Sequence, residues 1–242
     1  MTIPTQGPVK FSDLQSTFGG TNPISMSEYY RGGVNVPVGT NTDGIPASGA
    51  IDVAAFRGTT PFASVYYEVI GAGGAGGYGR ANGYGSGRAA SGGGSSITGS
   101  GVSISVSGGI GGLNAVIDGD TVGRGSNGQG TAYGAGGAGA PNFSVGGHAP
   151  STSYGAGGGG AGGDSSSIFD PSGGCGEGGY AGQRTTGNLS LRYGSVTLTM
   201  TIGSAGIGSG GTYPGGNGAN GFAKLVVDGV TYNYTSSGTR PI

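Results

Sequence analysis

Residues 71–77, 134–139, 155–163, 173–182 and 203–221 are dominated by glycine, with alanine, serine and asparagine as the main interruptions. Nothing else in the sequence restricts the fold so strongly. Glycine has no side chain to pack and loses the most backbone freedom on ordering, so such tracts make neither helix nor ordinary sheet. Collagen is excluded because glycine would have to fall strictly at every third place, and here it does not. A remaining ordered solution is a bundle of extended, left-handed three-fold helices of the polyglycine II type. Without side chains, such helices approach closely enough for N–H and C=O groups on one to pair with those of its neighbours. The energetics demand cooperation. With 64 glycines in 242 residues, an extra ordering cost of ~0.5–1 kcal/mol each comes to some tens of kcal/mol. A backbone hydrogen bond returns only about 1 kcal/mol, so many must form together, with the tract ends pinned.

Strand signals supply the pins. Ala63–Ile70 is rich in β-branched and aromatic residues and stops at Gly71, while Gly101–Ser107 alternates Val102, Ile104 and Val106 with serine. Leu189–Tyr193 and Ser195–Ile202, joined through Gly194, read the same way. Phe222–Val227 and Val230–Tyr234 flank Asp228-Gly229, the signature of a type I′ hairpin turn. The expected fold is mainly β with little helix: a small sheet scaffold of five or six strands carrying the polyglycine bundle.

Composition narrows the function. Ten basic and eleven acidic residues, scattered without a run, leave a formal net charge of -1, which gives no electrostatic footprint for nucleic acid. The N-terminus lacks a basic and apolar leader, and no apolar stretch is long enough to cross a membrane, so neither a signal peptide nor membrane insertion is expected. Cys175 is the only cysteine and His148 the only histidine. Neither an internal disulfide nor a cysteine zinc site can form, and a hydrolytic triad would have to rest on His148 without a G-x-S-x-G elbow. Gly71–Gly76 matches G-x-G-x-x-G after a strand, but no helix-forming segment follows to hold phosphates. Asp164, Asp170 and Glu177 lack calcium-loop spacing. No enzyme activity, cofactor or metal is expected.

Glycine content changes sharply near Thr59–Phe62, which divides the chain into an N-terminal module, 1–60, and a glycine-rich domain, 61–242. Within the first, apolar residues recur at relative positions 0, 2 and 5: Val9, Phe11, Leu14; Ile24, Met26, Tyr29; Ile51, Val53, Phe56. This spacing predicts a short strand entering a short helix, with Ser12 and Ser27 as N-caps and Gly19-Gly20, Gly32-Gly33 and Gly58 as stops. One-turn pieces cannot stand alone and must pack on each other or on a partner.

The stretches Phe11–Gly20, Asn22–Gly33 and Ile45–Gly58 resemble an N-terminal module of tailed-bacteriophage tail and fibre proteins. That resemblance implies attachment to other tail proteins through Phe11, Leu14, Ile24, Met26, Tyr29 and Phe56, and a place in the virion after synthesis in the host cytoplasm. The strand Val65–Ile70 running into Gly71–Gly77, the segment Gly187–Gly206 and the closing Gly216–Val227 resemble the glycine-rich domains of phage tail adhesins. Packed polyglycine helices in T-even-like distal adhesins carry loops that touch the bacterial surface, although the N-terminal module here departs from that group. The loops between tracts concentrate large side chains, and Tyr78, Tyr84, Arg88, Phe143, His148 and Tyr154 are the expected receptor contacts. The implied partner is a host outer-membrane protein or a surface saccharide. Two rival readings are a structural tail or fibre-tip assembly protein without receptor contact, and an ice-binding protein, the latter weakened by irregular loops that interrupt any flat repeating face.

Overall fold

The computed structural model describes residues 1–79, 87–114, 126–141, 144–161, 175–208, 210 and 213–242. Two four-stranded antiparallel sheets form its centre. One has the order β4-β1-β6-β7, from β1 (Phe62–Ile70), β4 (Arg184–Arg192), β6 (Phe222–Val227) and β7 (Val230–Tyr234). The other has the order β3-β2-β5-β8, from β2 (Ser95–Gly99), β3 (Val102–Val106), β5 (Thr197–Thr201) and β8 (Gly238–Pro241). The mainly β expectation therefore holds, with eight strands among the described residues in place of five or six.

Alternation decides which side chains face inward. Ala63, Val65, Val69, Ala223 and Leu225 of the first sheet meet Ile97, Val102, Val106, Leu198 and Met200 of the second in one buried cluster. Burial of each larger aliphatic side chain here contributes about 1.5–3 kcal/mol, so this cluster holds the two sheets together. The β6–β7 hairpin turns at Asp228 and Gly229, whose φ values of 47° and 85° fit the I′ turn expected from the sequence.

A second cluster is built from Ile3, Leu14, Phe18, Tyr29, Val36, Ile45 and Phe56. The 0, 2, 5 units end here: the last residue of each, Leu14, Tyr29 and Phe56, is fully buried, while the first two are partly buried or exposed. The helical pieces are α1 (Phe11–Phe18) and single 3-10 turns at Met26–Tyr29 and Val53–Phe56. Their starts correct the sequence reading. Ser12 and Ser27 lie inside the pieces; Lys10 and Ser25 are the caps. Asp13 accepts the Lys10 N–H at 2.8 Å, and the Ser25 hydroxyl accepts from Ser27 N–H. No strand precedes any of the three pieces.

The N-terminal cluster abuts one end of the sheets. Asn41 donates to the Phe62 carbonyl at 2.9 Å, and Arg192 donates to the carbonyls of Phe18 and Asn35. Asp228 ties this junction to the hairpin by accepting from Ser64 N–H at 2.9 Å and from the Tyr193 hydroxyl at 2.6 Å. Burial, reinforced by that bond, pushes the Tyr193 phenol up to about 12.

The glycine-rich segments leave from the opposite end. Segments 71–79, 107–113 and 203–208 extend β1, β3 and β5 outward, and 87–94, 176–183 and 213–221 return to β2, β4 and β6. Segments 126–130, 134–140, 144–149 and 155–161 also run alternately in and out. The glycine runs read from the sequence are thus only part of the set, and 203–221 divides into an outgoing and a returning piece.

Backbone pairing among these segments repeats every three residues. From 71–77, the N–H groups of Gly71, Gly74 and Gly77 donate to the carbonyls of Gln183, Tyr180 and Glu177; those of Ala72 and Ala75 donate to Gly93 and Ala90; those of Gly73 and Gly76 donate to Ala219 and Gly216. Its carbonyls accept from Gly109, Gly112, Gly158, Ala161 and Gly206. Segment 71–77 is thus ringed by six neighbours. Segment 155–161 is ringed similarly by 71–77, 126–129, 137–140, 147, 176–182 and 216–220. These two interior segments contain almost only glycine and alanine, and the reason is steric. A Cβ added at Gly71, Gly74 or Gly77 would run into carbonyls of 107–113, and at Gly73 or Gly76 into those of 156–159. Only the third face has room, and it carries Ala72 and Ala75, both fully buried.

At the rim a neighbour is missing, and side chains take its place. Ser126 and Gln129 accept from the N–H groups of Gly178 and Ala181, and Asn217 and Asn220 accept from Gly208 and Ala205. Acceptors three residues apart thereby pair the half-buried backbone donors of the rim.

Candidate functional site

The end of the bundle farthest from the sheets gathers residues from several segments. Gly79 pairs with Tyr213, and Tyr78 N–H donates to the Asn114 side-chain carbonyl at 3.2 Å. Asn114 is itself buried and donates its N–H to Gly87. Arg88 donates to the Gly111 carbonyl at 3.0 Å and holds its guanidinium 5.9 Å from the centre of the Tyr180 ring, within cation–π range. Glu177 accepts from Leu113 N–H at 3.3 Å. Tyr78 and Arg88 are therefore brought to one end, on backbone fixed by three-residue pairing. Among the described residues this end combines aromatic area with the Arg88 guanidinium and the Glu177 carboxylate, chemistry suited to recognition.

The remaining expected contacts scatter. Tyr84 and Phe143 lie outside the described residues. His148 sits on the flank, where its Nδ1 accepts from Asn217 N–H at 2.8 Å. Tyr154 stands at the sheet end of the bundle, stacked on Phe222 with ring centres 4.5 Å apart and edge-on to Tyr133. That aromatic group belongs to the joint between bundle and sheet. Tyr133 donates its hydroxyl to Glu68 at 2.8 Å, and Arg184 donates to the other carboxylate oxygen at 2.6 Å. Glu68 is only 3% exposed, so both partners are needed to satisfy it. Burial, then the bond to Glu68, pushes the Tyr133 phenol up to about 12.

On the N-terminal cluster, Leu14, Tyr29 and Phe56 are interior, Ile24 and Met26 are half-buried, and Phe11 is exposed. Val34, 97% exposed, and Val38 add apolar surface beside a cleft of about 630 Å3 lined by Gly20, Thr21, Ser27, Glu28, Gly33, Val34 and Asn35. Among the described residues, no three His, Cys, Asp or Glu side chains converge as a metal site would require, and no helix is long and apolar enough to cross a membrane.

The sequence does not single out Asn114 or Tyr213 for the far end, and Glu177 enters it only as a calcium ligand without the spacing. The available signal was a polar or aromatic residue at the close of a glycine-rich run, where a backbone donor needs a side-chain acceptor. The chain matches no protein-family model, no curated protein and no solved structure.

Proposed function

We propose that the glycine-rich segments are polyglycine II-type helices and that the chain is a tail-tip adhesin of a bacteriophage, with residues 1–60 attaching it to the tail and the far end of the bundle facing the host surface. The three-residue repeat of inter-segment hydrogen bonds and the six-fold surroundings of 71–77 and 155–161 support the helix type. One observation carries the functional reading. The N-terminal cluster bonds to one end of the sheets through Asn41 and Arg192, and the glycine-rich segments leave from the other. An attachment module and a recognition surface at opposite ends of a rigid scaffold is the polarity an adhesin needs.

Adsorption tests it. If the far end contacts the receptor, Tyr78→Ala with Arg88→Ala removes an aromatic and a cationic anchor, each a residue type that costs roughly 2 kcal/mol or more at a hot spot, about a thirtyfold loss of affinity. Virions carrying the double variant should adsorb poorly to host cells while the purified chain keeps its melting temperature. Undiminished adsorption by a folded double variant would remove this end from receptor contact and favour the assembly role.

A further inference from the structure

The flank of the bundle carries a groove of about 200 Å3 lined by His148, Ala149, Ser151, Ala205, Asn217, Gly218, Ala219 and Asn220. Its polar atoms are oriented by the backbone they serve. Asn217 and Asn220 each spend the side-chain carbonyl on a rim N–H, of Gly208 and Ala205 at 2.8 and 2.9 Å. This fixes which end of each amide is oxygen, and the NH2 groups receive no acceptor among the described residues. His148 is fixed in the same way. Its Nδ1 accepts from Asn217 N–H, so in the neutral ring the proton sits on Nε2. The groove thus presents donors, two amide NH2 groups and one imidazole N–H, beside the Ser151 hydroxyl and the methyl groups of Ala149, Ala205 and Ala219. Among the described residues no Asp, Glu, Lys or Arg side chain lines it.

We infer that this groove binds the acetamido group of an N-acetylated amino sugar. The carbonyl oxygen of such a group accepts from the Asn217 amide and the His148 imidazole beside it, while the Asn220 amide, three residues on and roughly 9 Å along the extended segment, donates to a ring hydroxyl of the same sugar. Its N–H can be taken by the Ser151 hydroxyl, and its methyl group covers the alanine methyls. A free carboxylate or phosphate fits less well, because the described lining offers no Lys or Arg to offset its desolvation. The volume accommodates a single sugar ring edge, not an oligosaccharide. The inference deepens the adhesin reading and rests on it for its biological role, but the binding itself is measured on the free chain. Loss of adsorption at the far end and loss of sugar binding at the flank are therefore separate results.

The test is titration of the isotopically labelled full chain with N-acetylglucosamine and, in parallel, glucose, followed by NMR. N-acetylglucosamine should shift the side-chain amide signals of Asn217 and Asn220 and the His148 ring, and glucose should bind at least about fivefold more weakly for want of the carbonyl and methyl contacts. The discriminating variants are Asn217→Asp and Asn220→Asp. A carboxylate keeps the acceptor that caps Gly208 or Ala205 but replaces the outward donor with an acceptor, so the double variant should retain its melting temperature and lose affinity by about tenfold or more. If the double variant unfolds, Ser151→Ala, which touches no rim cap, should still weaken binding severalfold. Three results would each overturn the inference: no shift at these three residues at high millimolar sugar, equal binding of glucose, or unchanged affinity in the folded variants.

Discussion

Gly158→Ala adds one methyl group to an interior segment and should unfold more than its size suggests. A Cβ at this position lies 2.5 Å from the carbonyl carbon of Gly216 and 2.7 Å from that of Asn217, with the Gly216 oxygen nearer still. Ordinary contact begins at 3.4 Å, so the two segments must separate by at least 0.9 Å. Four backbone bonds bracket the site: Gly158 to Gly74 at 3.0 Å, Gly179 to Gly158 at 2.7 Å, Gly159 to Gly147 at 2.9 Å and Gly216 to Gly159 at 2.8 Å. A separation of that size takes bonds facing segment 213–221 out of range, and 155–161 cannot retreat freely because it is ringed on every side. Counting about 1 kcal/mol per lost bond, and up to about 3 where a buried group stays unpaired, the expected loss is on the order of 3–6 kcal/mol. For a chain of this length each kcal/mol moves the melting temperature by ~2–4 °C, so a drop on the order of 10 °C or more should appear by calorimetry. Gly44→Ala is the matched control. Its Cβ would meet only the Ala55 carbonyl at 3.8 Å, and its melting temperature should stay within about 2 °C. Equal melting of the Gly158→Ala chain and the wild type would refute the claim that close backbone approach holds the segments together.

Alkaline pH should loosen both the joint between bundle and sheet, through Tyr133, and the junction between the sheets and the N-terminal cluster, through Tyr193. Because the Tyr133 and Tyr193 phenols are raised to about 12 when folded, against 10 unfolded, their contribution is fully present below pH 10 and is lost as pH rises through 12; Tyr133→Phe and Tyr193→Phe together should flatten that fall in melting temperature. Arg192→Ala removes the donors to Phe18 and Asn35, so limited proteolysis between residues 58 and 62 should accelerate severalfold while the sheet core stays intact.

The parts legible in the sequence are those where side chains alternate or a turn has a fixed chemistry. Val102, Ile104 and Val106 announce β3, and Asp228-Gly229 announces the hairpin. By contrast β2, Ser-Ser-Ile-Thr-Gly, has Ile97 as its one large apolar residue and is a strand because β3 and β5 pair with it on both sides. β8, Gly-Thr-Arg-Pro, exists by pairing with β5. The helix starts are hidden for local reasons: at α1 Asp13 reaches back to the Lys10 N–H, and in Ser25-Met26-Ser27 two serines flank the start so that composition alone does not say which one caps. Loop composition singles out large side chains such as Tyr78, Arg88 and Tyr154 but carries no sign of which end of the bundle each occupies. Tyr154 and Tyr133 join the sheet because Glu68, 65 residues before Tyr133 and 116 before Arg184, needs partners when buried. Contacts across such separations leave no periodic trace.

The polarity of the chain is most directly tested by where it sits in the virion. Intact particles labelled with antibody raised against the full chain and imaged by electron microscopy should carry the label at the distal end of the tail, and the bound antibody should block adsorption. Label confined to the interior or the neck of the tail, with adsorption unaffected, would contradict the adhesin account.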